Sequence, residues 1–323
     1  MNPIRMIWIT WESQRRTIEL ARLLPNAKLF ILQINAPRFV RYPYLILKTL
    51  GLLVRFRPKL LFVQNPSVVL TLSAVLLRRV FRFHLVVDAH NEGVKPFHSH
   101  YKWLLPIYSW IQKKTDLTIV TNDQLAKEVA SNGGTPFVME DPIPQMWATN
   151  AISLQGKHNI VFVCTFQKDE PYKEVIASAR FLDRSMCIYI TGNYGKSPSC
   201  VIKDAPANIV FTGFLPEQEY VNLLHSSDAV MDLTLMQDCL VCGAYEAVAL
   251  GRPLILSDTP VLKNYFYKGA VYTANSSQAI ANSIRHTIAG HAKLEVEMRD
   301  LKRDLEAAWQ KKFTEFRNIL DRI

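Results

Sequence analysis

The stretch MDLTLMQDCLVCGAYEAVALGRPLILSD, residues 231–258, reads as strand, loop, helix and strand. Residues 231–236 are apolar and short enough for a buried strand, and 237–243 have the composition of a loop. Residues 244–250 form a short helix that stops at Gly251, a residue suited to the left-handed position just past a helix end. Residues 253–256 supply the next strand. Asp238 falls in the loop and Glu246 in the opening turns of the helix. Both can therefore face the crevice beyond the strand's carboxyl end, where open α/β sheets bind ligands. The N–H groups of the helix start, from Cys242 through Gly243 and Ala244 to Tyr245, form an anion site suited to a diphosphate. A carboxylate beside that site is placed to accept hydrogen bonds from sugar or ribose hydroxyls. The plainer reading is a helix-capping Glu246 and a solvated Asp238. The Gly243 lead-in and the Gly251-Arg252-Pro253 exit favour the binding site.

Outward from this stretch the chain keeps one rhythm. In the first half, strands at 5–10, 27–34, 60–63, 84–89, 117–121 and 135–139 alternate with helices at 14–24, 42–56, 67–82, 101–113 and 123–132. A Pro-containing, weakly periodic segment at 141–158 reads as a linker. The second half starts again with strands at 159–164, 185–191 and 208–212, helices at 171–182 and 216–226, and a charged amphipathic helix at 293–320. Strands alternating with helices of this length imply parallel, doubly wound sheets with right-handed crossovers. The expectation is an α/β protein of two Rossmann-like domains, 1–145 and 146–323, facing a cleft, with the last helix crossing back onto the first domain.

Composition narrows the chemistry. Residues 1–150 hold 19 Lys and Arg against 9 Asp and Glu, whereas residues 151–323 hold 19 of each, so the whole net charge of +10 belongs to the first half. A basic half-surface suits nucleic acid, anionic lipid or a phosphorylated substrate. No recognised RNA- or DNA-binding module is visible, which argues against nucleic acid. The five cysteines all lie in the second half, and Cys239-x-x-Cys242 has no second pair or nearby His, so no metal site is expected. A reducing cytoplasm fits this cysteine usage. No secretory signal is visible, and no apolar run reaches membrane-spanning length.

The Asp238-x7-Glu246 spacing and its helix start resemble the acidic-x7-Glu motif of GT-B glycosyltransferases, in particular the retaining family 4 group. The resemblance implies that Glu246 holds the nucleotide ribose, Asp238 the transferred sugar, and the start of the helix, Cys242, Gly243 and Ala244, the diphosphate. The family usually has Glu at the first position, and Asp238 is one methylene shorter. Further stretches are similar to the chitobiosyldiphosphodolichol β-mannosyltransferases: the QNP strand end at 64–66, the D-x-H-N loop at 88–91, and residues 120–122, 140–142, 164–170 and 213–220. This second likeness is loose and covers most of the chain with gaps.

Four other stretches carry chemistry. In LVVDAHNE, residues 85–92, an apolar strand ends at Asp88 and opens into a loop with His90 and Glu92. A transfer that inverts configuration needs a base, which a carboxylate or His supplies; a structural histidine is the alternative for His90. Lys168 and Lys173 in CTFQKDEPYK follow the second domain's first strand, where related transferases neutralise the diphosphate leaving group with a basic residue. Each reads equally as a surface lysine. Arg15 and Arg16 follow the first strand in a loop without the usual glycines, placed for a donor or acceptor phosphate or for a simple exposed helix start. Residues 37–59 mix Arg and Lys with Tyr, Phe and Leu at near-helical spacing, as an interfacial helix on anionic lipid does; a buried helix with solvated ends has the same composition.

The expected activity is transfer of a hexose from a nucleotide-sugar to a hydroxyl, of a polyprenyl-diphosphate-linked or other saccharide acceptor. No cofactor or metal is expected, and the place is the cytoplasmic membrane face. The rivals are a nucleotide-sugar epimerase or hydrolase of the same fold and a non-catalytic partner subunit that keeps the fold.

Overall fold

In the computed structural model, which describes residues 6–24, 26–65, 67–95, 103–197 and 199–323, every strand pair is parallel. The chain divides into two units, Met1–Pro142 with Trp309–Ile323, and Ile143–Ala308.

The first unit contains β1 (Met6–Thr10), α1 (Arg15–Leu23), β2 (Ala27–Ile31), α2 (Arg38–Phe56), β3 (Leu60–Asn65), α3 (Val68–Phe81), β4 (His84–Ala89), α4 (Asn91–Val94), α5 (Leu105–Lys114), β5 (Leu117–Val120), α6 (Asp123–Ser131) and β6 (Pro136–Val138). Its strand order is β2-β1-β3-β4-β5-β6. Strand side chains alternate between two cores, as the period of two requires. Ile7, Ile9, Val63 and Val87 meet α2 and α3 through Leu45, Leu53, Leu70 and Ala74. Trp8, Phe62 and Val86 meet α1 and Trp309, Phe313 and Phe316 from the end of the chain. Phe316 packs edge-on to Phe62 and tilted against Phe137, and the Trp309 indole donates to the Glu140 carbonyl at 3.0 Å. Lys312 closes on both Glu140 oxygens.

The second unit contains β7 (His158–Phe162), α7 (Tyr172–Ser178), β8 (Met186–Thr191), α8 (Ser199–Lys203), β9 (Ile209–Gly213), α9 (Glu217–Ser226), β10 (Ala229–Asp232), α10 (Cys242–Leu250), β11 (Leu254–Ser257), α11 (Pro260–Tyr265), β12 (Ala270–Thr273), α12 (Ser277–Ala289) and α13 (His291–Leu320), the last of which belongs to the first unit from Trp309 onward. Its strand order, β12-β11-β10-β7-β8-β9, reverses direction between β7 and β10, the topological switch where such sheets bind ligands.

Two boundaries differ from the sequence reading for identifiable reasons. The strand expected at 231–236 leaves the sheet after Asp232, because the next backbone donors turn to other partners: Thr234 N to Ser257 Oγ at 2.9 Å and Leu235 N to the Asp169 carbonyl at 2.7 Å. The helix expected at 244 starts at Cys242, because its cap is non-local. Its own N-cap, Val241, has no capping side chain, and Asp232 Oδ2 accepts the Gly243 N–H at 2.7 Å instead. Helix α10 then ends where expected, on Gly251 at φ 68°.

Gly243 is what lets the two elements meet. A Cβ there would lie 2.7 Å from Asp232 Oδ2 and 2.8 Å from Val163 Cγ2, so any side chain would push α10 off the strand ends. Asp232 is buried, and burial drives its carboxyl well above the ordinary aspartate range. The Gly243 N–H opposes that shift, while Glu170 and Glu246 add to it.

Phe316→Ala is expected to lower the unfolding free energy by about 3–5 kcal/mol in urea titrations, the usual cost of emptying a buried aromatic site; a loss below about 1 kcal/mol would show that the chain's end is not part of this core. Because the folded state holds the Asp232 proton where the unfolded chain has released it, wild-type stability falls as pH rises from about 4 through the raised value. Asp232→Asn keeps an acceptor for Gly243 without the charge. Its thermal midpoint relative to wild type is expected to climb from pH 4 to pH 8, and a constant difference would contradict the buried carboxyl.

Candidate active site

In the second unit the site gathers on the carboxyl ends of β7 and β10. Residues 164–170 leave β7 as a loop folded around one carboxylate: Glu170 accepts from the backbone of Thr165 and Gln167 and from the Thr165 hydroxyl, at 2.8–3.0 Å. Lys168 projects from the tip of this loop and Lys173 from the first turn of α7, both exposed. The bond from Leu235 to Asp169 ties the same loop to the segment after β10 that carries Asp238, itself half-buried.

At the start of α10, Cys242 is exposed, whereas Gly243 and Ala244 are buried. The sequence reading offers the N–H groups from Cys242 to Tyr245 to a diphosphate. The structure corrects this for two of them: the Gly243 N–H is committed to Asp232, and the Ala244 N–H reaches the Val241 carbonyl at 3.3 Å. One turn further along, Glu246 Oε2 accepts the Tyr220 hydroxyl at 2.5 Å. Burial and the Glu246 charge together raise the Tyr220 hydroxyl well above its usual pKa, so it remains a donor at any physiological pH. Glu246 is thereby held by a side chain from α9 in a fixed orientation over the strand ends.

In the first unit the strand-end residues divide by burial. Arg16 is buried and its three guanidinium nitrogens are engaged: Nε with Asp88 Oδ1 at 3.0 Å, Nη2 with the Met139 carbonyl at 2.8 Å, and Nη1 with Asp141 Oδ1. Burial alone would lower its pKa, but Asp88 and Asp141 outweigh that and raise it. Two expectations are corrected here. Arg16 is a tie between α1, β4 and the chain after β6, because an incoming phosphate would have to displace a carboxylate from a buried cation. Asp88, 1% exposed and ion-paired, is the other end of that tie, which does not suit it to take a proton from a substrate. Arg15 is exposed, one turn before its partner Glu19.

His90 sits at the N-cap of α4 with Nε2 buried and without a partner, and Glu92 is exposed on that helix. Tyr108 lies close enough to Glu92 that, after burial, the carboxylate is the second cause raising its hydroxyl. Gln64 Nε2, Asn65 Oδ1 and Asp88 Oδ2 are also buried and unpartnered at the ends of β3 and β4. These unpartnered groups gather at the carboxyl ends of two neighbouring strands, where Gln64 stands in register with Asp88, and a hydroxyl, which both gives and takes a hydrogen bond, would match them.

The sequence analysis gave no role to Asp232, Glu170, Asp141 or Tyr220, although the last three lie in stretches similar to the β-mannosyltransferases. For Asp232 a signal existed, since an acid closing an apolar strand before a loop is placed to cap the next helix. The Tyr220–Glu246 partners are 26 positions apart and have no local signature. Among the described residues no group of three His, Cys, Asp or Glu is arranged to hold a metal ion.

No family model and no curated protein matches the sequence, so the resemblance to family 4 transferases and to the β-mannosyltransferases rests on the quoted motifs alone. Solved structures do match. Sucrose-phosphate synthase from Thermosynechococcus elongatus superposes with a TM-score of 0.78 at 14% identity, over 99% of this chain and 100% of that one. HepE from Anabaena in complex with UDP-glucose gives 0.75 at 11% identity, over 97% and 99%. The UDP-N-acetylglucosamine 2-epimerase from Listeria monocytogenes, so described provisionally, gives 0.62 at 11% identity, over 96% and 97%. The likeness establishes the architecture: two Rossmann-like units of the GT-B fold.

Proposed function

We propose that this chain is a glycosyltransferase that takes a hexose from a nucleotide-sugar, without a metal, and delivers it to a hydroxyl of a lipid-linked or polysaccharide-precursor acceptor. One observation carries the reading: a carboxylate, Glu246, is locked by Tyr220 one turn into a helix whose start is pressed onto the switch point of the second sheet. Support comes from structures similar over nearly their whole length, among them HepE holding UDP-glucose and HepE holding UDP.

In this scheme the Glu246 carboxylate accepts from the ribose hydroxyls, and Asp238 from a sugar hydroxyl. The Cys242 N–H, the dipole of α10 and the side chains of Lys168 and Lys173 meet the diphosphate and the charge that grows on it as the glycosidic bond breaks. Asp232 lies beside this anion, and its raised pKa lessens the negative charge set against the phosphates. An inverting transfer needs a base on the acceptor side, and His90 Nε2 is the open nitrogen there; a retaining transfer needs none. The likeness to the Listeria epimerase supports a second reading, in which the same donor site serves epimerisation with no acceptor.

Calorimetric titration with UDP-, GDP- and dTDP-sugars is expected to find one tight donor, and Glu246→Ala to weaken it roughly 10- to 100-fold, the worth of hydrogen bonds to a charged group. Unchanged affinity would remove Glu246 from the donor site. Tyr220→Phe is expected to weaken the same donor several-fold in the wild-type background and to have no effect in Glu246→Ala, because it acts through that carboxylate. Equal losses in both backgrounds would mean that Tyr220 does not position Glu246. Turnover of donor to its epimer with no acceptor present would favour the second reading.

A further inference from the structure

No Asp or Glu occurs between Glu19 and Asp88, while the same stretch holds eleven Lys and Arg. Five of these, Arg38, Arg41, Lys48, Arg55 and Arg57, belong to α2 or its C-cap. The helix has two opposed faces. Leu45, Thr49 and Leu53 are buried against the sheet. On the far side Phe39, Val40, Tyr44, Leu47 and Val54 are exposed, Phe39 at 80% and Leu47 at 66%. Val40, Tyr44, Leu47 and Val54 follow one another at four, three and seven residues and so share one stripe, with Phe39 exposed at its start. Gly51 lies in the same stripe, and a Cβ built on it would meet nothing within 4 Å. Arg41, Lys48 and Arg55, spaced by seven, run along one edge of the stripe.

Helix α3 packs on the same side of the sheet, in the same core as α2, so its outer surface faces the same way. It adds exposed Leu76 and Val80 with Arg79 between them. Two neighbouring helices thus present large apolar side chains outward, bordered by cations and without one carboxylate.

We infer that the outer faces of α2 and α3 form a docking surface for an anionic lipid bilayer, with the apolar stripe entering the headgroup boundary and the flanking bases meeting lipid phosphates. Exposed aliphatic side chains gain nothing from water and are stabilised at an acyl boundary, and each nearby base adds attraction to anionic lipid. A second copy of the chain does not fit, because two such faces would set cation against cation. Single-stranded nucleic acid takes aromatic stacking platforms between its bases, whereas this stripe is mostly aliphatic. Nothing is required of α2 as a membrane span: among the described residues no helix is long and apolar enough to cross a bilayer. The inference deepens the proposed function by assigning where a lipid-borne acceptor would be met, but lipid binding itself needs neither donor nor acceptor.

The test is co-sedimentation of the whole protein with phosphatidylcholine vesicles, with and without phosphatidylglycerol. Binding is expected only with phosphatidylglycerol and is expected to fall as salt rises. Arg41→Gln, Lys48→Gln and Arg55→Gln together are expected to weaken it about a hundredfold. Phe39→Ser, Leu47→Ser and Val54→Ser together are expected to weaken it at least about tenfold with circular dichroism unchanged, since these side chains are already in water. Absence of binding to phosphatidylglycerol vesicles, or full binding by both triple variants, would overturn the inference. So would tight, salt-sensitive capture of a single-stranded oligonucleotide with no vesicle binding. Donor binding that survives such a failure would leave the transferase reading intact.

Discussion

The second unit depends on a close approach that only glycine permits. With no Cβ at Gly243, the start of α10 settles against Val163 and Asp232 at the ends of β7 and β10, and one backbone N–H is given to a buried carboxyl. Everything above the switch point is set by that contact. It fixes the helix axis, so Glu246 emerges one turn later over the strand ends, where Tyr220 can reach it. It leaves Cys242 as the outermost residue of the helix, with its N–H among the first-turn groups that the helix itself does not satisfy. The cost is a carboxyl group held in a site that penalises its charge, which makes this corner of the fold sensitive to pH.

Charge is handled in opposite ways in the two units. In the second, carboxylates are drawn inward, and Glu170 organises a whole loop through backbone donors. In the first, Arg16 is consumed by Asp88 and Asp141, Arg78 by Asp116, and Lys312 by Glu140. These pairs commit Asp88, Asp116, Glu140 and Asp141 to structural cations. The bases of α2, and Arg79 of α3, are left facing outward beside apolar side chains, an arrangement suited to a covering partner.

The strand rhythm was legible because parallel strands buried on both faces are short, near-continuous apolar runs set off by polar loops. The run 84–89 is recovered as β4 without change, and the stop of α10 at Gly251 follows from backbone preference alone. What the residues did not announce is long-range. Asp232 caps α10 across 11 residues, Arg16 meets Asp141 across 125, and Tyr220 meets Glu246 across 26. Reading Arg16 as a phosphate ligand failed for this reason: position and charge suggest an exposed cation, and only the tertiary fold supplies two carboxylates to consume it. Residues 259–292, which hold α11, β12 and α12, drew no assignment, since their apolar runs are short and interrupted. Helix α2 starts at Arg38, one turn before the expected 42, and Pro43 within it lies on the exposed side.

The central claim is that the start of α10 and Glu246 together form the nucleotide-sugar site. A crystal structure of the protein grown with UDP tests it most directly. A phosphate oxygen is expected within hydrogen-bond distance, roughly 2.7–3.2 Å, of the Cys242 backbone nitrogen, and the ribose hydroxyls on the Glu246 carboxylate with the Tyr220 bond intact. UDP bound elsewhere, with no contact to Glu246 or to the start of α10, would contradict it.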